Sequence, residues 1–501
     1  MAATPAAAEW REASTDHFVI YADSGERWLR DFATRLERSA AFFDLIRPSA
    51  DRNASKYNRI VVYAVPGTAA VQKLCGKCGS VAGFYVPRVG HSVAYTARTP
   101  AANVWDMSSD IVLFHEYAHH ILLASTTGAL PRWYNEGLAE FFSTIRILPD
   151  GAMEVGRPAV HRAYNLLYAD MKIEQLFESS GRKDAASQDI FYGRAWLLAH
   201  MMMFDKSRAG QLEKYLTLLN QGTPNLDAAR QAFGDLEVLR RDMDAYVRKP
   251  TRMVKTPASA VTVGPVTLRN LSAGEAAMMP VRMRSDRGVS RREAIEIVAD
   301  ARQRAAPFAG DAAVQVALAE AEYDAGNDAE AEAAADRALA VEPKNIDALM
   351  YKGRVKVRQA QVSKTQDGQV WKAARGWFVK ANAVDPDAAE PLLLFYRSFE
   401  TARQKPTENA ALGLYRALQL SPQDPGLRIS AARQFIIDGK VAEARKTLLP
   451  LAYDPHVPAD RNRFLRVVEA IDAKRPTAEL LRLGSGEAAE GEDQVGATDT
   501  D

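Results

Sequence analysis

His115, Glu116 and His119 form His-Glu-x-x-His inside an apolar run, residues 111–123, whose other polar points are Tyr117 and His120. On a helix, residues four apart share a face, so His115 and His119 project side by side. That spacing lets two imidazoles grip one Zn²⁺, and it places Glu116 to handle the proton of a water in the same site. Two imidazoles and a carboxylate buried in an apolar helix with nothing to hold would be costly.

Two more carboxylates follow, in Pro131-Arg132-Trp133-Tyr134-Asn135-Glu136-Gly137-Leu138-Ala139-Glu140. Pro131 suits the first turn of a helix, and Glu136 and Glu140, four apart, share one face. One of them can complete a His-His-Glu site. The other can accept the outer N–H of a ligating imidazole and fix its tautomer. Three protein ligands leave a fourth position open, the arrangement of a catalytic rather than a structural zinc.

The pair of motifs resembles the gluzincin metallopeptidases, the group of thermolysin and aminopeptidase N, and above all the smaller bacterial peptidase MA-like domains. The resemblance implies a zinc-dependent peptide hydrolase. It makes His115, His119 and Glu136 the metal ligands, Glu116 the general base and Glu140 the carboxylate behind a ligand. It also implies a role for Tyr192, in Phe191-Tyr192-Gly193-Arg194-Ala195-Trp196, as the phenol that donates to a developing oxyanion. Core packing alone would also account for Tyr192, and a surface position for Glu140. Metzincin spacing is excluded, because Leu122 and Ser125 stand where that pattern needs Gly and His. The aminopeptidase segment Gly-x-Met-Glu-Asn is absent upstream, so exopeptidase specificity does not follow. His120 reads as a neighbour on another face of the helix, and His200 as a structural histidine.

The elements that must position these residues alternate strand and helix. Residues 17–22 and 59–65 read as strands, 27–46 as a helix, and 81–86 with 92–97 as a hairpin. A small mixed sheet ahead of two zinc helices fits an α+β, thermolysin-like domain over residues 1–249. Residues 250–289 are rich in proline and read as a connector or small β element, with β-like pieces at 260–268 and 278–283. From 290 to 475 the chain is Ala-rich, helical and repetitive. Ala331, Ala338 and Pro343 share a frame with Ala374, Phe378, Ala381 and Pro386, and with Ala410, Ala417 and Pro422. A weaker echo falls at Pro455. The repeat, near 34 residues, resembles tetratricopeptide repeats and implies an all-α solenoid with a protein partner, with one insertion expected in 359–369. Residues 476–501 read as an acidic disordered tail.

The whole chain has 501 residues, 47% hydrophobic and 25% charged, with a net charge of +1. That length calls for more than one domain. That charge implies no broad attraction to nucleic acid, and no apolar run reaches the ~18 residues of a membrane span. The partners expected are a peptide or protein substrate and a protein held by the repeats. The alternative reading is a catalytically silent peptidase-fold scaffold working through its repeats, against which the intact Glu116 argues. The Ala-rich start is not a signal peptide as written. If a leader has been removed the protein is periplasmic or secreted, and otherwise cytoplasmic. Cys75 and Cys78, in Cys-Gly-Lys-Cys, read as a short-loop disulfide or two plain thiols.

Overall fold

The computed structural model describes residues 9–46, 55–76, 81–98, 105, 107–178, 185–454, 457 and 461–485. Cys78, Pro455 and residues 486–501 lie outside them. The fold is α+β, a small mixed sheet near the N-terminus followed by many helices.

The sheet begins with β1 (Trp10–Ser14) and β2 (Phe18–Asp23), and α1 (Glu26–Ile46) follows. Next come β3 (Ile60–Val65), α2 (Thr68–Cys75) and the hairpin of β4 (Gly83–Val86) and β5 (Val93–Ala97). All six residues of β3 are buried, so this β-branched run takes a central place with parallel partners, β2 and β5, on its two sides. One face of the sheet carries Val19, Tyr21, Val61, Tyr63, Val93 and Tyr95, which form a single buried cluster. Phe18, on the opposite face of β2, packs on Tyr117 with ring centroids 5.1 Å apart.

Further along lie α3 (Ser109–Ser125), α4 (Arg132–Ser143), β6 (Arg146–Ile147), β7 (Met153–Val155) and α5 (Ala163–Tyr168). Then come α6 (Glu174–Phe177), α7 (Ala185–Phe204), α8 (Gln211–Asn220), α9 (Asn225–Phe233) and α10 (Leu236–Tyr246).

The segment expected as a connector or small β element contributes two strands. Its β8 (Val254–Thr256) pairs with β7, and its β9 (Thr267–Asn270) pairs with β1 as an edge of the main sheet. The β-like piece expected at 278–283 is instead helical, within α11 (Ala273–Asp286). A capping box of Ser272 and Glu275 starts this helix, and Met279 packs into the sheet's buried cluster. A short apolar run fits a strand or a buried helix equally well, and here the cap decides.

The helices then continue as α12 (Arg291–Ala305), α13 (Ala312–Asp324), α14 (Asp328–Val341), α15 (Ile346–Val362), α16 (Gly368–Val384), α17 (Ala389–Thr401) and α18 (Glu408–Leu420). Consecutive helices pack together, and α11, α13, α15 and α17 also touch in series, so the pairs stack. Pro343, Pro386 and Pro422 each stand just beyond the end of α14, α16 or α18. There the ring cannot continue the helix and costs nothing. The recurring alanines, from Ala331 to Ala417, are buried where helices approach closely. The expected insertion is taken up by length: α15 and α16 have 17 residues each, against 13 in both α17 and α18. The last helices are α19 (Pro425–Ile437), α20 (Val441–Ala452), α21 (Arg463–Asp472) and α22 (Thr477–Ser485). The tail expected from 476 therefore begins as a helix, whose Leu480 is buried in a cluster with Val467 and Ile471.

The chain divides into two compact units drawn from separate stretches. The first takes residues up to 125, 138–167 and 250–427, and the second takes 126–137, 168–249 and those from 428 on. The boundary at 137 runs through α4, a continuous helix. Among the described residues no helix is long and apolar enough to cross a membrane.

Candidate metal centre

Helix α3 is apolar around most of its circumference, as befits a buried helix. Gly83 of β4 lets it close on the sheet: a Cβ there would stand 2.5 Å from Val112 Cγ1. Tyr117 meets Phe18 of β2 and Phe43 of α1, and Phe43 in turn meets Phe142 of α4 at 4.6 Å. Arg35 of α1 pairs with Asp110 in the first turn of α3 at 2.9 Å. These contacts fix the rotation of α3 and leave His115, Glu116 and His119 half-buried.

Helix α4 is held at its start and at its middle. Trp133 is fully buried among Phe177, Tyr215 and Phe233, and its indole N–H donates to the Tyr215 hydroxyl at 2.9 Å. Gly137 lies against the backbone of α7, where a Cβ would come within 2.4 Å of the Ala195 carbonyl oxygen. No larger residue fits there. The Asn-Glu-Gly sequence therefore joins a carboxylate to the point of closest helix approach.

The four residues of the two motifs converge. The Nε2 atoms of His115 and His119 face each other at 3.1 Å. His115, His119 and Glu136 each offer a ligand atom within 4.8 Å of the others. Glu136 is 1% exposed. One turn along α4, the Glu140 carboxylate lies 3.6 Å from Nδ1 of His115, the ring nitrogen turned away from His119. The surface position considered for Glu140 does not hold, since this residue too is 1% exposed.

Two residues that the motifs do not contain complete this arrangement. His161 Nε2 stands 2.9 Å from Glu140 Oε2, and Arg162 donates to Glu140 Oε1 at 2.7 Å. Burial pushes the Glu140 carboxyl up. The hydrogen bond from His161 and the charge of Arg162 outweigh it and hold the group well below the usual carboxylate range. Glu140 therefore stays ionised and can accept from an imidazole. Neither partner had a sequence signal beyond a His-Arg pair in a segment of short turns.

The other histidines stand apart in role. His120 is buried, with Nδ1 2.7 Å from the Tyr85 hydroxyl and its ring stacked on Tyr117. His200 is fully buried in α7, between Trp196 and Phe204, with Nδ1 3.0 Å from the Tyr246 hydroxyl. Tyr192 is half-buried on α7, three residues before the Ala195 carbonyl that meets Gly137. No protein-family model matches the chain, and no curated protein does.

Proposed function

We propose that this protein is a zinc-dependent peptide hydrolase of gluzincin type, with a thermolysin-like arrangement of α3 and α4 and a tetratricopeptide-like run of helices from α12 onward. The observation that carries the reading is the approach of His115, His119 and Glu136 to within 4.8 Å, with Glu140 behind His115. Two nitrogens bound to one tetrahedral Zn²⁺ stand about 3.3 Å apart. The 3.1 Å between the two Nε2 atoms fits that spacing. Two neutral imidazoles and one carboxylate form a donor set suited to a catalytic zinc, with a position left for water or substrate.

When bound, the ion supplies Lewis acidity that polarises a carbonyl and makes a water easier to deprotonate. Glu116, on the same helix turn as His115, takes the water's proton and delivers it to the leaving amine. Glu140 holds the His115 ring through Nδ1, so that Nε2 stays free of a proton and available as a donor. Tyr192 donates its phenolic hydrogen to the oxyanion. The stacked helix pairs hold a protein partner or a long substrate.

The test is metal stoichiometry together with cleavage of casein and of peptide libraries, with and without chelator. One zinc per chain and chelator-sensitive cleavage are expected, and Glu116→Gln should keep the metal while losing cleavage by a factor of at least about 100. Cleavage unchanged in Glu116→Gln would sink the mechanism.

A further inference from the structure

The first unit contains a second feature, an open cavity of about 740 Å³ that the metal-centre reading does not use. One wall is the sheet, through Val19, Tyr21 and Val61, which are alternate positions on one face. The other walls are the helices that stack in series. Helix α13 contributes Ala317, Glu320 and Asp324, and α15 contributes Asp347, Tyr351 and Arg354, each set at helical spacing on one side of its helix.

Hydrogen bonds between the sheet's loops and the helices hold the walls together. Asn58 donates to the Asp387 carbonyl at 2.8 Å and accepts from the Ala389 amide at 3.2 Å. Ser421 donates to the Val89 carbonyl at 2.7 Å. Tyr57 donates to Asp347 at 2.5 Å. The volume lies in the range of small-molecule sites.

Charges of both signs line this space, and several of them form no ion pair. Glu320 and Asp324 make no hydrogen bond or ion pair among the described residues, and neither does the guanidinium of Arg88. Arg282 lies over the Tyr21 ring at 4.9 Å and hydrogen-bonds Tyr21, but makes no ion pair. Ser285 is 3% exposed, and its Oγ has no hydrogen-bond partner among the described residues. Other charges in the cavity are matched internally, such as Arg269 with Glu12 and Glu275, and Arg354 with Glu390. Buried hydroxyls are ordinarily paired, so the open Ser285, set among half-buried acids and guanidiniums that form no ion pair, points to a ligand.

We propose that the cavity binds a small zwitterion of amino-acid or short-peptide size, its ammonium group on Glu320 and Asp324 and its anionic group on Arg88, Arg282 and Ser285. Burial, with Asp286 and Asp324 beside it, pushes the Glu320 carboxyl up, and burial pushes Asp324 up to about 6 against the pull of Arg354 and Arg88. Burial is the largest cause of both shifts, and a further cation would oppose them. An ammonium group supplies one.

The experiment is calorimetric titration of the full chain with dialanine and with its N-acetylated and C-amidated forms, in the presence of chelator. Chelator removes the metal centre from the measurement, so the outcome is independent of the hydrolase reading. Dialanine should bind, and blocking either end should weaken it at least tenfold. Glu320→Gln with Asp324→Asn should weaken dialanine at least tenfold and leave the N-acetylated form unchanged. Arg282→Gln should erase the preference over the C-amide. Thermal melts of the variants establish that they are folded, and Asp324→Asn alone serves if the double variant is not. No binding of dialanine, or binding indifferent to both end charges, overturns the proposal.

Discussion

At the scale of single residues, Glu140 meets three side chains at the candidate centre. It meets His115 through one oxygen edge, and His161 and Arg162 hold the carboxylate ionised. Partners that orient a metal-ligating imidazole are typically worth 10–100-fold in metal affinity. His161→Ala should therefore weaken zinc binding by about 10-fold, read by competition with a coloured chelator, while Glu140→Gln should weaken it more. Equal affinity in all three proteins would remove Glu140 from the centre. His17 is the second residue with a sharp expectation. Burial pulls its pKa down, but hydrogen bonds to Asp44 and Glu37, at 2.7 Å each, raise it to about 9. The folded state therefore binds this proton more tightly than the unfolded chain, whose histidine titrates near 6.5. The resulting stability is fully present below about 6.5 and is lost as the pH rises to about 9. It amounts to on the order of 3 kcal/mol. Urea midpoints measured across that window should fall, and they should fall much less in His17→Gln.

At the scale of elements, two glycines separate packing from propensity. In α4 a methyl group at Gly137 would meet the Ala195 carbonyl, which is backbone and cannot swing aside. Gly137→Ala should cost about 1–3 kcal/mol and disturb Glu136 next to it. In α16 nothing lies within 4 Å of the corresponding point at Gly376. There the same change should stabilise by about 0.5–1 kcal/mol, because alanine loses less backbone entropy in a helix. Chemical denaturation of the two variants gives both signs, and a destabilised Gly376→Ala would contradict the open space. Length adjusts in the same economical way. The insertion expected in 359–369 extends α15 and α16 instead of forming a loop, which keeps the added backbone groups paired within helices.

At the scale of the molecule, the first unit gathers stretches far apart in the chain. β9 lies against β1, and α11 covers the sheet face with Met279. A fragment ending at residue 249 would lack both. It should expose Tyr21, Tyr63 and Tyr95, bind a hydrophobic dye and melt without a sharp transition. A fragment melting as cooperatively as the whole chain would mean that the later segments are no part of this core.

The sequence by itself determined what depends on local periodicity. It put His115 with His119 and Glu136 with Glu140 on shared helix faces, read the central strands, and timed the prolines to the ends of α14, α16 and α18. Those features follow from 3.6 residues per turn, alternation in strands and the missing N–H of proline, so each is written within a few residues. Tertiary structure alone decided which partners meet across long separations. His161 and Arg162 reach Glu140, β9 joins the N-terminal sheet, α11 forms where a strand was expected, and four charges outside any ion pair face one cavity. Such pairings rest on burial shared between distant segments, and no local pattern encodes which distant segment will supply it.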